Sequence, residues 1–487
     1  MGLLPVACYL KLTEGKIAML TYQDFEKATD RAEFVATLIS QHMASEEYRI
    51  ARDADLYERC LNVTINRVTG MYSGKKAWDE SAQKSRIATN AFHRLNTQRV
   101  NYLLGNGVSF TRKEQRLDAD TGKLIRADMT KEAMGPKFDG DVRVWAYDAL
   151  IHRVAFAYVT EDSLNIYPLT NFAPLWDEMT GMLRAGVHFW RIDKDKPMYA
   201  ELYTETGRTD YRSRDGASGM ILTAQGEEQP YSMTIFETDA EGVVEVAEDK
   251  TQTRLPIVPM WGSRKRQSTL VELRPKIDAF DLINSGFADN EKDCSKIYWL
   301  IENCGGMTEK DMQKFLDDIR ERHIAKVDTT SFTGDARSVL TPYTQEVPYE
   351  GTKAYLDHCK AEMYDDFGAL DVHTIAAGST NDHIDAAYQP LDEEADDLEY
   401  CVIEAIQQVL ELRGIEDTPQ FKRNRVSNTF QTIQGVMLAA NVLGQRKTLE
   451  KLPIVTVDEV DEIMADNYAE ETERLVTPNA AGEGETA

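Results

Sequence analysis

A regular spacing of apolar residues in the last quarter of the chain limits its fold more than any other sequence feature. From residue 384 to residue 409 the intervals alternate between four and three, which places one apolar stripe along a helix. The sequence therefore predicts a single long helix over residues 384–413, which Pro390 either starts or kinks. The stripe consists of Ile384, Tyr388, Leu391, Ala395, Leu398, Val402, Ala405 and Val409.

Other helices are predicted from shorter stripes and from residues that favour helix starts. Pro275 suits the first turn of one helix, and Thr308, followed by acidic residues, suits the N-cap of another. Residues 302–307, which include two glycines, form a turn between these two helices. Helices are expected over residues 24–47, 85–104, 275–299, 308–322, 349–367 and 426–444.

Strands are predicted between residues 108 and 257, where β-branched and aromatic residues are frequent and Gly, Asp and Pro interrupt them. This composition predicts strands in VRVWAYDALIHRVAFAYVT, LNIYPL, GVHFWRI, MYAELYT and MILTA. LPIVPMWG near residue 257, RSVLTPYT near residue 340 and residues 420–428 read as further extended pieces. The expected fold class is therefore α+β.

The stretch NYLLGNGVSF, residues 101–110, predicts a corner between a helix and a strand. Leu103 and Leu104 complete the apolar face of the helix, and Val108 can start a strand. Either Gly105 or Gly107 suits the left-handed conformation that commonly ends a helix.

Composition and charge restrict the function. A length of 487 residues corresponds to roughly three domains, and a net charge of −27 disfavours a simple nucleic-acid binder. The six cysteines include no CxxC pair, so no zinc site is expected. The chain has no apolar run of membrane-spanning length and no leader at its N-terminus, so we expect it to stay in the cytoplasm of the cell that makes it.

Two charged clusters have competing interpretations. The acidic run over residues 392–399 could bind a divalent metal, which would suit a metal-dependent DNA-processing enzyme. The favoured interpretation is a solvated helix start whose acidic residues are stabilised by the helix dipole. Arg264, Lys265 and Arg266 could contact DNA, but a solvated loop is the favoured interpretation.

Six sequence elements, in order over residues 30–475, together resemble the portal proteins of long-tailed bacteriophages. They include ATNAFHRLNTQRVNYLLGNG, YPLTNFAPLWDE, RLPIVPMWG, IDAFDLINSGFADNEKD and FKRNRVSNTFQ. Each motif alone is an unspecific pattern of aromatic residues or glycines at a turn, so the resemblance rests on the order in which the motifs occur. Residues 376–388, AAGSTNDHIDAAY, match the family's small-residue stretch only in part.

The resemblance implies a non-enzymatic ring, most often of twelve subunits, at one vertex of the virion capsid. Double-stranded DNA passes through such a ring during packaging and leaves through it into the tail. The implied partners are terminase, a major capsid or scaffold protein, and a head-tail connector or adaptor protein. Assembly in the host cytoplasm is implied, with no membrane contact and no cofactor.

The resemblance also implies a portal-type subunit architecture. The wing would comprise residues 1–270, the stem helices residues 271–325, and the clip the turn near residues 302–307. Residues 326–372 would return to the wing, residues 373–384 would form a tunnel loop, and residues 385–476 the long helix and a helical crown. Residues 477–487 would be a disordered tail.

Candidate functional residues follow from this mapping, and none of them is catalytic or a metal ligand. The tunnel-loop candidates are His373, Thr374, Ser379, Thr380, Asn381, Asp382 and His383. Candidates for the stem and channel are Lys310, Lys314 and Arg320, on a face of mixed charge that also suits contacts between subunits. The clip candidates are Glu302, Asn303, Gly305 and Gly306.

Overall fold

A computed structural model of the chain has a mixed α and β fold, which confirms the predicted class. The structure describes residues 19–67, 85–117, 124–161, 163–193, 195–214, 221–233, 235–238, 243–245, 250–252, 254–294, 298–301, 308–310, 313–314, 317, 340–343, 349–371, 381–425, 429–452 and single positions from 455 to 468. Among the described helices, none combines the length and hydrophobicity that a membrane crossing requires.

Twelve helices have defined bounds within these residues. They are α1 Tyr22–Lys27, α2 Arg31–Ala44, α3 Glu46–Glu58, α4 Val63–Arg67, α5 Ala91–Leu104, α6 Met129–Met134, α7 Phe138–His152, α8 Thr269–Cys294, α9 Tyr349–Asp366, α10 Asn381–Arg413, α11 Thr429–Leu443 and α12 Gln445–Lys451.

The described strands lie mostly between helices α7 and α8. They are β1 Val108–Phe110, β2 Lys113–Leu117, β3 Leu124–Asp128, β4 Val154–Val159, β5 Leu164–Pro168, β6 Phe172–Trp176, β7 Leu183–Trp190, β8 Tyr199–Tyr203, β9 Arg208–Ser213, β10 Leu222–Ala224, β11 Tyr231–Met233, β12 Phe236–Thr238, β13 Val243–Glu245, β14 Lys250–Gln252, β15 Ile257–Trp261, β16 Tyr298–Ile301, β17 Leu340–Tyr343 and β18 Pro419–Phe421.

The chain divides into two compact units. The first contains the described residues of 1–63, 90–275 and 362–487, and the second those of 64–89 and 276–361. The helices α8 and α9 each have residues in both units.

Two antiparallel sheets organise the first unit. One has the strand order β10-β9-β8-β7-β6 and the other the order β15-β4-β5. One apolar cluster packs helices α1 and α2 against the five-stranded sheet. A second cluster joins residues of both sheets, including Phe156 of β4 and Phe172 of β6, whose ring centroids are 4.3 Å apart. The two sheets thus share one core.

The prediction of a strand over residues 142–152 is wrong, because this segment forms most of helix α7. Phe138, Val142, Trp145, Ala149 and His152 are all buried, at the alternating intervals of four and three that one helix face requires. The aromatic and β-branched content favours a strand locally, but burial of this face overrides that preference. Strand β4 begins only at Val154.

The predicted helix over residues 24–47 is divided among α1, α2 and the start of α3. Asp30 is the N-cap of α2, where its carboxylate accepts hydrogen bonds from the backbone N–H groups of Ala32 and Glu33. Ser45 is the N-cap of α3, where its hydroxyl accepts from the N–H of Tyr48. These caps satisfy donors that would otherwise have no partner, so each starts a new helix.

Helix α8 does not have the predicted bounds 275–299, because it begins six residues before Pro275 and ends at Cys294. Its start is defined by Ser268, whose hydroxyl accepts from the N–H of Leu270 and donates to the carbonyl oxygen of Ile151. Pro275 is exposed within the helix. Because proline has no backbone N–H, one carbonyl of the preceding turn lacks its helical donor, and at this exposed position that carbonyl can face water.

In the second unit an extended segment lies along helix α8. The backbone N–H groups of residues 85, 87 and 89 donate to Asp289, Ser285 and Asp281. These acceptors are spaced by four residues and so lie on one helix face. Strand β16 pairs antiparallel with β17, from Tyr298 with Tyr343 to Ile301 with Leu340, and this pairing brings together the two ends of the intervening chain.

The long helix α10 confirms the prediction from the apolar stripe. All eight stripe residues are buried, and Pro390 lies inside the helix. The helix starts at Asn381, so the predicted start at residue 384 is wrong by three residues. Asp382 lies in the first turn, where a negative charge interacts favourably with the helix dipole.

We expect Asp148→Asn to stabilise the protein at neutral and alkaline pH. Burial of Asp148 raises its pKa from 3.8 to about 6, with Asp55 and Glu58 adding to the rise and His152 opposing it. The folded state binds this proton more tightly than the unfolded state does, so protonated Asp148 contributes stability. That contribution is lost as the pH rises through the pKa of Asp148 in the folded protein.

Urea unfolding at several pH values tests this prediction. The gain in unfolding free energy should be small near pH 4, grow up to about pH 6 and level off at about 3 kcal/mol. The control Glu237→Gln, at an exposed position in β12, should show no such trend. A gain that is equal at all pH values would contradict the assigned cause.

Candidate functional site

The corner at residues 101–110 has the predicted form of a helix followed by a strand. Helix α5 ends at Leu104, Gly105 keeps a helical conformation and Gly107 has a φ of 74°. The carboxylate of Asp139 accepts from the N–H of Val108 at 3.0 Å. The positive φ makes Gly107, rather than Gly105, the left-handed residue at this corner. A Cβ on Gly107 would also lie 2.5 Å from an Asp139 oxygen.

This corner binds a late segment of the chain, residues 419–425, which we call the return segment. Strand β18 of the return segment pairs with β1, with Val108 opposite Phe421. The backbone N–H of Asn424 donates to the carbonyl oxygen of Tyr102 at 2.9 Å, and the side-chain amide of Asn106 donates to that of Lys422 at 2.9 Å. A Cβ on Gly105 would approach the Asn424 side chain to 3.0 Å. The corner is thus a docking surface within the subunit.

Arg425 of the return segment connects the corner to the long helix. Its guanidinium donates to the hydroxyl of Tyr102 at 2.7 Å and to Asp385 at 3.1 Å, and it also bonds to Asp392. Burial and the hydrogen bond to Asp392 raise the pKa of Tyr102 to about 12, so the hydroxyl keeps its proton and donates to Asp392. We call these four side chains the arginine clasp.

Further arginines bind the rest of the acidic run on α10. Arg423 bonds to Asp396 and Glu399, and Arg264 pairs with Asp397. The favoured interpretation of a purely solvated, dipole-stabilised run is therefore incomplete, because tertiary ion pairs hold these carboxylates. Within the described residues, no group of three or more His, Cys, Asp or Glu side chains is arranged to hold a metal ion.

Helix α5 also holds the chain just before the predicted tunnel loop. Arg99 is buried, pairs with Glu394 at 3.0 Å, donates to the carbonyl oxygen of Phe367 and lies 3.9 Å from the centroid of the Phe367 ring. The amide group of Gln98 exchanges two hydrogen bonds with the backbone of Leu370, at 2.8 and 3.0 Å. Residues 367–370 are therefore fixed to α5.

The chain just after the predicted loop packs on the same helix. Tyr388 stacks on Tyr102 with ring centroids 5.5 Å apart. One apolar cluster contains Tyr102, Leu370, Ile384, Tyr388, Leu391 and Ala395. Both flanks of residues 372–380 thus converge on α5, through one cluster and the arginine clasp.

Some of the predicted tunnel-loop residues lie within the described residues and the others lie outside them. Asn381, Asp382 and His383 belong to the first turn of α10, with the Asp382 and His383 side chains exposed. The other candidates lie outside the described residues, and they are His373, Thr374, Ser379 and Thr380.

Among the predicted stem, channel and clip residues, only two lysines fall within the described residues. Lys310 and Lys314 are exposed and helical, and Thr308, the predicted N-cap, precedes the helical residues. The candidates outside the described residues are Arg320, Glu302, Asn303, Gly305 and Gly306.

The basic cluster at residues 264–266 bonds to side chains of the chain itself. Arg264 pairs with Asp397 at 2.5 Å, Lys265 with Glu272 at 3.2 Å, and Arg266 lies 4.5 Å from the Trp261 ring centroid. Although Arg264 and Lys265 are more than half exposed, their charges are opposed by nearby carboxylates. These contacts support a role for the three residues in holding the subunit's own structure together, and they give no support to a contact with DNA.

Sequence reasoning missed the residues that organise this site, which are Arg99, Tyr102, Arg423 and Arg425. One signal was present, because the basic run FKRNR at residues 421–425 has the charge that complements the acidic run at residues 392–399. Nothing in the sequence indicates that these two runs meet, since the pairing depends on β18 docking beside β1.

Comparison with known protein families gives one match over most of the chain. The model of the family described as "Phage portal protein, SPP1 Gp6-like" matches residues 39–474. The matched region includes the corner, the long helix and the return segment.

Part of the chain is also similar to a curated portal protein. A protein named "Portal protein" from the Clostridium phage phiCD119 is 29% identical over 127 residues, or 26% of this chain. The aligned stretch spans 27% of that relative's length.

Gly107→Ala should destabilise the protein by roughly 2–3 kcal/mol, because the backbone needs a positive φ and the new methyl group meets Asp139. Gly181→Ala, with a φ of 68° and nothing within 4 Å of the new methyl, should cost only about 1 kcal/mol. Gly140→Ala, within α7, should be neutral or slightly stabilising. Chemical denaturation measures all three. Equal losses for Gly107 and Gly181 would show that the Asp139 contact has no effect.

Arg425→Ala should release the start of the long helix while the remainder stays folded. Without the guanidinium, the carboxylates of Asp385 and Asp392 lose their shared cation, so amide exchange over residues 381–389 should accelerate by at least about tenfold. Hydrogen–deuterium exchange by mass spectrometry resolves this segment from residues 395–413.

The matched control for the arginine clasp is Arg254→Ala. It removes an ion pair with Glu411 near the other end of α10, where the two side chains are 67% and 70% exposed, and such pairs contribute little. Faster exchange along the whole helix in Arg425→Ala, or no change at residues 381–389, would refute a local role for the clasp.

Proposed function

This chain belongs to the SPP1 Gp6-like phage portal protein family, and on that premise we propose that it is the subunit of a ring-shaped channel for DNA. In this proposal the ring occupies one vertex of the capsid, DNA enters the capsid through it during packaging, and DNA later leaves through it to the tail. The single observation that carries the proposal is the family match over residues 39–474. The subunit acts as a conduit and catalyses no reaction.

The proposed partners follow from the same premise. About twelve copies of the chain form the ring, terminase drives double-stranded DNA through it, and a capsid or scaffold protein surrounds it. A head-tail adaptor binds after packaging, and the finished ring is part of the virion.

The charge of the chain supports passage of DNA without tight binding. A net charge of −27 per subunit repels phosphates. Four arginines near the acidic run, at positions 99, 264, 423 and 425, are engaged by carboxylates of the chain itself. A conduit needs DNA to slide, and the internal pairing of these four arginines makes them less available to phosphates.

For the stem, we propose an assignment that differs from the one predicted from sequence. The pairing of β16 with β17 closes the segment between residues 301 and 340 at its base. This pairing supports α8 and α9 as the two stem helices, with the residues between them as the clip. Lys310 and Lys314 then belong to the clip, where exposed lysines suit contact with an acidic surface of a partner.

We retain the tunnel loop as a proposal and limit it to residues 372–380. The support comes from the flanks, because Arg99 and Gln98 hold residues 367–370 and the arginine clasp holds residues 385–392. A loop that contacts moving DNA must transmit force to a firmly held base, and helix α5 provides this base.

Native mass spectrometry and negative-stain electron microscopy of the purified chain test the proposed function. The expected result is a closed ring of about twelve copies with a central hole. Deleting residues 374–380, and keeping the start of α10, should preserve the ring and lower the amount of DNA packaged per capsid. A compact dimer, or packaging that the deletion leaves unchanged, would contradict the ring or the loop assignment respectively.

A further inference from the structure

Helix α11 exposes an apolar face that contrasts with the rest of this charged chain. Leu438 is 77% exposed, Val442 88% and Met437 59%. At 100° per residue these three side chains lie within about 140° of the helix circumference. On other parts of the helix Ile433, Val436, Ala439 and Ala440 are half-buried.

The sequence around this face carries no charge. Residues 426–445 include no Asp, Glu, Lys, Arg or His, although charged residues make up 28% of the chain. Other highly exposed apolar residues, such as Met179 and Ile192, lie in hairpin turns beside charged neighbours. Single residues of that kind are normal on protein surfaces, whereas a contiguous apolar helix face marks an interaction site.

We propose that this face of α11 binds a second copy of the same chain, a proposal that rests on the ring proposed above. Two subunits that each carry a charge of −27 repel one another. A stable contact between them therefore requires surfaces from which acidic side chains are excluded. The cores of protein interfaces are depleted of charge and enriched in residues such as Met, and α11 has both properties.

The contact in a ring is head-to-tail, so the α11 face of one subunit meets a different surface of its neighbour. Each subunit then buries Leu438 and Val442 once, and the stabilisation repeats around the whole ring. Placing a carboxylate in this face would add like-charge repulsion to the loss of apolar burial.

The variants Leu438→Glu and Val442→Glu test this proposal, with Ile192→Glu as the matched control. All three place one new negative charge at a position that is 77%, 88% and 83% exposed in the single subunit. Sedimentation velocity over a concentration series gives the concentration at which half of the subunits are assembled.

The two α11 variants should raise this concentration by at least about tenfold, and Ile192→Glu should leave it unchanged. If wild type and all variants form the ring equally well, the ring stands and the assignment of α11 is wrong. If the wild type does not assemble at any concentration, the ring itself is contradicted, and the proposal for α11 falls with it.

Amide exchange on the wild type gives a second readout that does not depend on the folding of a variant. Residues 433–443 should exchange more slowly in the ring than in the dissociated subunit. Unchanged exchange on assembly, or protection that arises only after a capsid protein is added, would overturn a contact between copies.

Discussion

The contact of Arg425 with Tyr102, Asp385 and Asp392 is the interaction on which the architecture around the long helix depends. It joins helix α5 to the return segment and α10, which both lie about 300 residues later in the sequence. A guanidinium offers five donors in a fixed plane, so one side chain can satisfy a hydroxyl and two carboxylates at once. Because Tyr102, Arg425 and Asp392 are partly withdrawn from water, the loss of one of them leaves the others without compensation.

The distribution of charge connects folding with the proposed channel. The acidic run on α10 would repel itself and the remaining acidic surface if it were left alone, and arginines from three separate segments offset that repulsion locally. Internal pairing also withdraws these arginines from a phosphate backbone. On α11, the exposed surface carries no charge at all. Acidic repulsion, internal pairing and an uncharged face together fit the proposed subunit, which would associate with its copies and still let DNA pass.

Much of the fold could be predicted from the sequence where a residue pattern repeats over many turns. The apolar stripe of α10 predicted a helix whose eight stripe residues are all buried, and NYLLGNGVSF predicted the corner that Gly107 forms. The prediction failed over residues 142–152, where aromatic and β-branched residues favoured a strand although burial of one face makes a helix. It also failed at α8, whose start depends on Ser268 bonding to the distant carbonyl of Ile151. The candidate site was predicted least well, because ion pairs between distant segments leave no periodic signal.

The sequence by itself determined the α+β class, the long helix, the glycine corner and the acidity of the chain, because each depends on local periodicity, backbone freedom or composition. Only the tertiary structure decided which carboxylates of residues 385–399 meet which arginines, and that both flanks of residues 372–380 pack against α5. The physical reason is that a helix stripe or a positive φ is specified by neighbouring residues. An ion pair such as Arg425 with Asp392 exists only after the docking of β18 beside β1 has brought the two charges within bonding distance.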